Sequence, residues 1–347
     1  MPYQPPDASQ GLRLHFNEHT GGCSPAVLEA LRSITREEAA WYPDYGPITA
    51  ATAAAFGVDP DWVQLTNGLD EGLHVVAHYA RLQIDRVPVE PPVIIVEPAF
   101  EMYLASAEAA GLATTHLMPE EDFAFPTQAM MHALRPATRL VYLTDPNNPT
   151  GLAIPRGIVE HIAQAAPQAT VLVDEAYAEF SGRTFVGDTL DRHRNLVVGR
   201  TFAKAHGLAA LRIGALVAHP ETLAPLRRLL PPFGVNVCAM RALAAALEDT
   251  AYLRASVAAA AESKRLLYDY CERRGWTYWP SEANFVLIRV GDTASALARA
   301  LADRGVLVRD KSAASGCAGC LRITAGVVAH TRVCIDALEA IRAAGAN

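Results

Sequence analysis

The sequence predicts an α/β protein: a large domain with a mostly parallel sheet between helices, followed by a smaller α+β domain. Three observations predict it. Short apolar runs rich in β-branched residues fall at 93–97, 140–144, 171–174, 196–200 and 213–218; strands apolar throughout are those of a parallel sheet covered on both faces. Helix-length patterns at 102–110, 127–134 and 158–165 alternate with them, as strand–helix–strand units require. Beyond residue 250 the order changes to a long helix (252–274, stopped at Gly275), a strand at 284–290, a helix at 294–304, strands at 306–309 and 320–324, and a closing helix at 331–344. We divide the chain accordingly into an N-terminal segment, 1–35, packing with the small domain, a large domain, 36–228, and the small domain, 229–347.

A chain of 347 residues that is 51% hydrophobic can bury two cores. Its formal charge of −7 argues against nucleic acid or an anionic membrane as partner. Met1 to Gln10 is polar and proline-rich, unlike an export signal, and no apolar run is long enough to span a bilayer. The six scattered cysteines do not form a disulfide framework. A cytoplasmic protein with reduced thiols is expected.

Four motifs carry chemistry. Thr201-Phe-Ala-Lys204 leaves a strand end and is followed by Leu211-Arg212-Ile-Gly214. A lysine in a mostly apolar setting loses basicity and becomes an amine nucleophile, while a hydroxyl and a guanidinium suit a phosphate. Alone, this is also how a surface lysine after a strand reads. Val171-Leu-Val-Asp174-Glu-Ala-Tyr177 ends a buried strand in an acid, which is costly unless paired. A protonated pyridine nitrogen is one partner; a metal in a phosphate-hydrolysing enzyme is another, but the phosphate loop such enzymes use is absent. Asp145-Pro-Asn-Asn148-Pro-Thr-Gly151 fixes a turn directly after a strand. Thr66-Asn-Gly68-Leu69-Asp70-Glu-Gly72 opens a helix, where free backbone N–H groups bind phosphate; singly, it also reads as a plain helix start.

Taken jointly, in this order and spacing, the motifs resemble the fold-type-I aminotransferases dependent on pyridoxal 5'-phosphate (PLP), most closely the histidinol-phosphate branch. The resemblance spans the chain, from Leu14-His-Phe-Asn17-Glu18 through Trp41-Tyr42-Pro-Asp44 to Cys320-Leu-Arg322-Ile-Thr324. It implies that Lys204 binds the cofactor as an imine and then serves as general base. It implies that Asp174 pairs with the pyridine nitrogen and that Tyr177 and Asn148 hydrogen-bond the ring oxygen. Phe100 matches the aromatic stacked on the pyridine face. Gly68, Leu69, Asp70, Thr201 and Arg212 match the phosphate cup. Tyr42 matches a tyrosine lent to the neighbouring subunit, which implies a homodimer. Asn17 and Arg322 match substrate contacts, with Arg322 gripping an anion. The implied reaction passes an amino group from an amine donor, histidinol phosphate first, to a 2-oxo acid such as 2-oxoglutarate, in histidine biosynthesis. No metal is implied.

The chain departs from the branch at several points. Asn17-Glu-His19-Thr-Gly21-Gly22 stands where the branch reads Asn-Glu-Asn-Pro-aromatic-Gly, and Ala203, Ala215 and Gly234 replace a frequent serine, tyrosine and asparagine. These point to a shifted substrate range. Aromatic or other amino acids are the next donors, and His19-Thr-Gly-Gly22 partly echoes a threonine-phosphate decarboxylase of the same scaffold. A PLP-fold regulator that binds DNA would need a longer N-terminal domain and a basic patch. Two decoys remain. His15-Phe-Asn-Glu18-His19 has the form of an inverted zinc-protease motif but runs into Thr-Gly-Gly rather than a helix. Cys317 and Cys320 form a lone Cys-x-x-Cys without two further ligands.

Overall fold

The computed structural model describes residues 10–84 and 90–345; the first nine residues of the N-terminal segment lie outside them. Among the described residues there are twelve strands: β1 (Leu12–Leu14), β2 (Val63–Thr66), β3 (Val93–Val96), β4 (Thr114–Leu117), β5 (Leu140–Thr144), β6 (Thr170–Asp174), β7 (Leu196–Thr201), β8 (Gly214–Ala218), β9 (Thr277–Tyr278), β10 (Phe285–Arg289), β11 (Val306–Asp310) and β12 (Cys320–Thr324).

Seven of them form one sheet in the order β2-β8-β7-β6-β5-β3-β4. The five strands from β4 to β7 run parallel. β8, expected at 213–218, begins one residue later and runs antiparallel to both β7 and β2. Alternate residues of the central strands enter two separate cores. Ile95, Tyr142, Leu172 and Val197 pack on one face; Ile94, Val141, Val171 and Val198 pack on the other. Burying each such side chain contributes about 1.5–3 kcal/mol, and this two-faced burial is why the strands read as unbroken apolar runs. The edge strand β4, Thr-Thr-His-Leu, is mostly half-exposed and gives no such run. With β1, β2 and β9, it was not expected from the sequence.

The other five strands form a mostly antiparallel sheet, β1-β11-β12-β10-β9. Its core joins Leu14 to Leu267, Val286, Ile323 and Leu338. β1 enters it parallel to β11. The long helix Thr250–Arg274 stops on Gly275, which takes a left-handed conformation, and the closing helix runs Val328–Gly345. The helix Val237–Glu248 lies beyond the boundary expected at 228. Its buried face nevertheless packs with Val27, Ile48, Leu65 and Ile213, on the seven-stranded side.

The parallel register sets Thr144 beside Asp174 and Asp174 beside Gly199. The C-terminal ends of β5, β6 and β7 therefore make one edge, the place where open α/β sheets bind ligands.

Candidate active site

The floor of the site is a buried carboxylate. Asp174 closes β6, and its Oδ2 accepts a 2.8 Å hydrogen bond from the Tyr103 hydroxyl, itself 2.7 Å from Thr144 Oγ1. Oδ1 accepts from the Ala176 amide at 3.0 Å. Burial pushes the Asp174 pKa up to about 6, against the pull of the Tyr103 bond. An acid held like this gains most from a cationic N–H partner. Tyr177, also buried, accepts from Asn17 Nδ2 at 3.0 Å, which leaves its own O–H to donate. Burial raises its pKa to about 12 although Arg322 opposes this, so it stands as a neutral phenol.

Lys204 follows β7 in the loop held by the Thr201 hydroxyl, whose oxygen accepts from the Ala203 amide at 3.2 Å. Its Nζ donates to the Phe16 carbonyl at 3.1 Å. Burial, then Arg322, lowers its pKa to about 8, against the pull of Glu18, Asp70 and Asp174. At pH 7 roughly a tenth is free amine, against less than a thousandth for an ordinary lysine. The chain has only three lysines. Two of them, Lys204 and Lys311, line this one cleft; the third, Lys264, donates to the Ser281 carbonyl.

At one end of the cleft the helix Gly68–Leu82 begins without a side-chain cap, so its first-turn N–H groups are available to an anion. Gly68 has φ +72°, and a Cβ there would lie 2.5 Å from Arg212 Nη2. Only glycine lets that guanidinium lie against the turn. Arg212 itself adopts φ 56° and pairs with Asp70 at 2.8 Å. An anion cup at one end, a buried acid, an amine of reduced basicity and the Phe100 ring fit pyridoxal phosphate by chemistry as well as by place.

The wall facing the floor comes from the N-terminal segment and the small sheet. Asn17 takes φ 56°, which asparagine tolerates better than most residues. Its amide donates to Thr324 Oγ1 at 3.1 Å and its carbonyl accepts from Asn284 Nδ2 at 3.1 Å. Arg322, on β12, donates to Asn148 Oδ1 and, at 2.7 Å, to the His15 carbonyl.

Of the residues singled out from sequence, Asn17, Leu69, Asp70, Phe100, Asn148, Asp174, Tyr177, Thr201, Lys204, Arg212 and Arg322 all line this cleft, and Gly68 backs Arg212. Tyr42 does not. Its ring is 79% exposed and stacks on Phe233 with centroids 4.1 Å apart. Sequence reasoning gave no role to Tyr103, His15, Arg309 or Lys311, which also line the cleft. Tyr103 was within reach of it: it follows Phe100 by one helical turn, and the two rings meet edge to face at 5.8 Å. The two histidines of the zinc-like motif part company, His15 lining the cleft and His19 bonding Ser256 Oγ at 2.8 Å.

The family model of the class I and II aminotransferases matches residues 9–338. The chain belongs to this family. It is a PLP-dependent transaminase with the fold of that family. The chain is 38% identical to histidinol-phosphate aminotransferase 2 of Ralstonia nicotianae over 96% of this chain and 89% of the relative. The solved histidinol-phosphate aminotransferase of Sinorhizobium meliloti, in complex with pyridoxal-5'-phosphate, superposes with a TM-score of 0.84 at 26% identity, covering 99% of this chain and 96% of that one. L-threonine-O-3-phosphate decarboxylase of Porphyromonas gingivalis, 22% identical, shares the fold with a TM-score of 0.77 over 94% and 98%. Among the described residues no helix is long and apolar enough to cross a membrane.

Proposed function

We propose that this aminotransferase takes the amino group of histidinol phosphate and delivers it to 2-oxoglutarate, with PLP held on Lys204. The observation that carries the chemistry is the meeting, in one cleft, of an amine of lowered basicity with a buried acid at the end of β6. PLP, when bound, supplies an electron sink that acidifies the substrate's amine-bearing carbon. Lys204 Nζ, freed when the substrate amine takes its place on the cofactor, would be the base for the proton on that carbon. Asp174 would accept from the protonated ring nitrogen, and the Tyr177 hydroxyl and the Asn148 side chain would donate hydrogen bonds to the ring oxygen. Phe100 would stack on one ring face. The first-turn amides of Gly68, Leu69 and Asp70, the Thr201 hydroxyl and Arg212 would hold the phosphate.

Charge supports the phosphorylated donor. Arg309, Lys311 and Arg322 line the cleft, and one acid, Glu101, opposes Lys311 at 3.0 Å and Arg309 at 3.9 Å. The surplus suits a dianion. The donor is then an intermediate of histidine synthesis, and the six unpaired cysteines accord with the cytoplasm. We further assign the protein as a homodimer. Trp41, Tyr42 and Phe233 are exposed and do not line the cleft, which leaves these rings free to meet a second copy, and we assign Tyr42 to the partner's phosphate cup.

A half-reaction titration tests the substrate. Histidinol phosphate, glutamate, phenylalanine, tyrosine and threonine phosphate are each mixed with holoenzyme while the cofactor absorbance is followed. Histidinol phosphate is expected to deplete the band fastest and 2-oxoglutarate to restore it. A faster aromatic amino acid would reassign the donor, and carbon dioxide released from threonine phosphate would make the enzyme a decarboxylase.

A further inference from the structure

His15 lies where the N-terminal segment leaves β1. Its neighbour Leu14 is fully buried in the core of the small sheet, and the carbonyl of Phe16 accepts the Lys204 bond. The imidazole lines the cleft, is only 4% exposed, and has no hydrogen-bond partner at either ring nitrogen among the described residues. Buried polar groups are nearly always paired, and a purely packing role, against the Phe16 ring at 4.1 Å, would be met by a residue with no polar atoms to strand. Two orphan nitrogens on a ring that lines a ligand cleft therefore point to a group that arrives with the ligand.

The surroundings say which group. Arg322 donates to the carbonyl of His15 itself, so the ring and that guanidinium are fixed to one backbone unit. Arg309 and Lys311 line the same cleft. Burial, then Arg13, Arg309 and Arg322, holds the His15 pKa down at about 4. The ring is neutral at ordinary pH and offers one N–H donor and one acceptor. Among cations, the donor is the useful half.

We propose that His15 is a specificity-determining residue whose ring N–H hydrogen-bonds an oxyanion of the substrate, phosphate or carboxylate, beside Arg309 and Arg322. This rests on the transaminase reading only for the nature of the substrate; the contact itself follows from the cleft. His15 lies just before the segment that departs from the branch pattern, where Gly21, six residues on, stands in place of the aromatic.

The test compares holoenzyme with His15→Leu and His15→Gln, using histidinol phosphate, unphosphorylated histidinol and glutamate. His15→Leu is expected to raise KM for the anionic substrate roughly 10- to 100-fold, the span of a hydrogen bond to a charged group, with kcat within about threefold. His15→Gln, which keeps a neutral donor, should recover most of it. An effect on histidinol phosphate but not histidinol identifies a phosphate; an effect on glutamate alone identifies a carboxylate. Equal KM shifts for all three amines, no shift at all, or no recovery with Gln would overturn the proposal. Calorimetry with inorganic phosphate gives a readout free of turnover: affinity should weaken with Leu and hold with Gln if the oxyanion is a phosphate. A wild-type protein without a cofactor band would overturn the transaminase reading, while the phosphate titration would still report on His15.

Discussion

The two sides of the cleft are built differently. The floor stands on adjacent ends of parallel strands, and its polar groups are partnered: Asp174 is bonded by Tyr103 and the Ala176 amide, and Tyr177 by Asn17 from the facing wall. The facing wall is assembled from the N-terminal segment and the small sheet, and it is incomplete by itself. It holds a cationic surplus, a left-handed Asn17 and the unpartnered His15. A finished floor suits chemistry common to all substrates; a wall with unmet polar groups suits the recognition of a particular one. Lesions in the floor should therefore lower kcat for every amine alike, whereas lesions in the wall should act by substrate and mainly on KM.

The largest effect is expected from Asp174→Asn. Without the negative charge the ring nitrogen loses its proton, and kcat should fall by about 10³ for histidinol phosphate and glutamate alike, as steady-state kinetics will show. A loss confined to one donor would erase the distinction between floor and wall. Next comes Arg322→Gln, expected to lower kcat/KM for anionic substrates by about 10², with far less effect on uncharged amines. Since Arg322 is also one cause of the low Lys204 pKa, this variant couples the two sides.

That coupling has a pH signature. Lys204 reacts as the free amine, and its pKa is lowered to about 8. The rate at which apoprotein captures PLP should therefore rise about tenfold per pH unit below that value and level off above it. In Arg322→Gln the loss of a nearby cation raises the pKa, so the plateau should move to higher pH. Stopped-flow absorbance measures both. The smallest effect is expected from Tyr103→Phe. The Tyr103 bond favours ionised Asp174, so its loss raises a pKa already near 6. Activity at pH 7 should drop only about 3- to 10-fold, and the acid limb of the pH profile should shift upward. An unshifted limb would mean that Tyr103 does not act through Asp174.

This contrast also marks what was legible in the sequence. The central strands were readable because both faces are buried. The short edge strand β4 is half polar, and β1, at three residues, is too short to give a period. The motif residues of the floor were readable because each sits at a strand end or helix start that its own neighbours define, as with Asp174 after Val171-Leu-Val. Arg309 and Lys311 carry no local mark beyond a strand end, and their meaning arises only when β11 faces Glu101 across the cleft. His15 was legible only as half of a metal-like pattern, and folding separates it from His19. The helix Val237–Glu248 falls past the boundary drawn at 228, whereas its packing follows its apolar face.

The transaminase chemistry depends on one lysine holding the cofactor. Borohydride reduction of the holoenzyme, digestion and mass spectrometry would locate it among the only three lysines of the chain. The label is expected on Lys204 alone. A label on Lys311, the other amine in the cleft, or no label at all, would contradict the account.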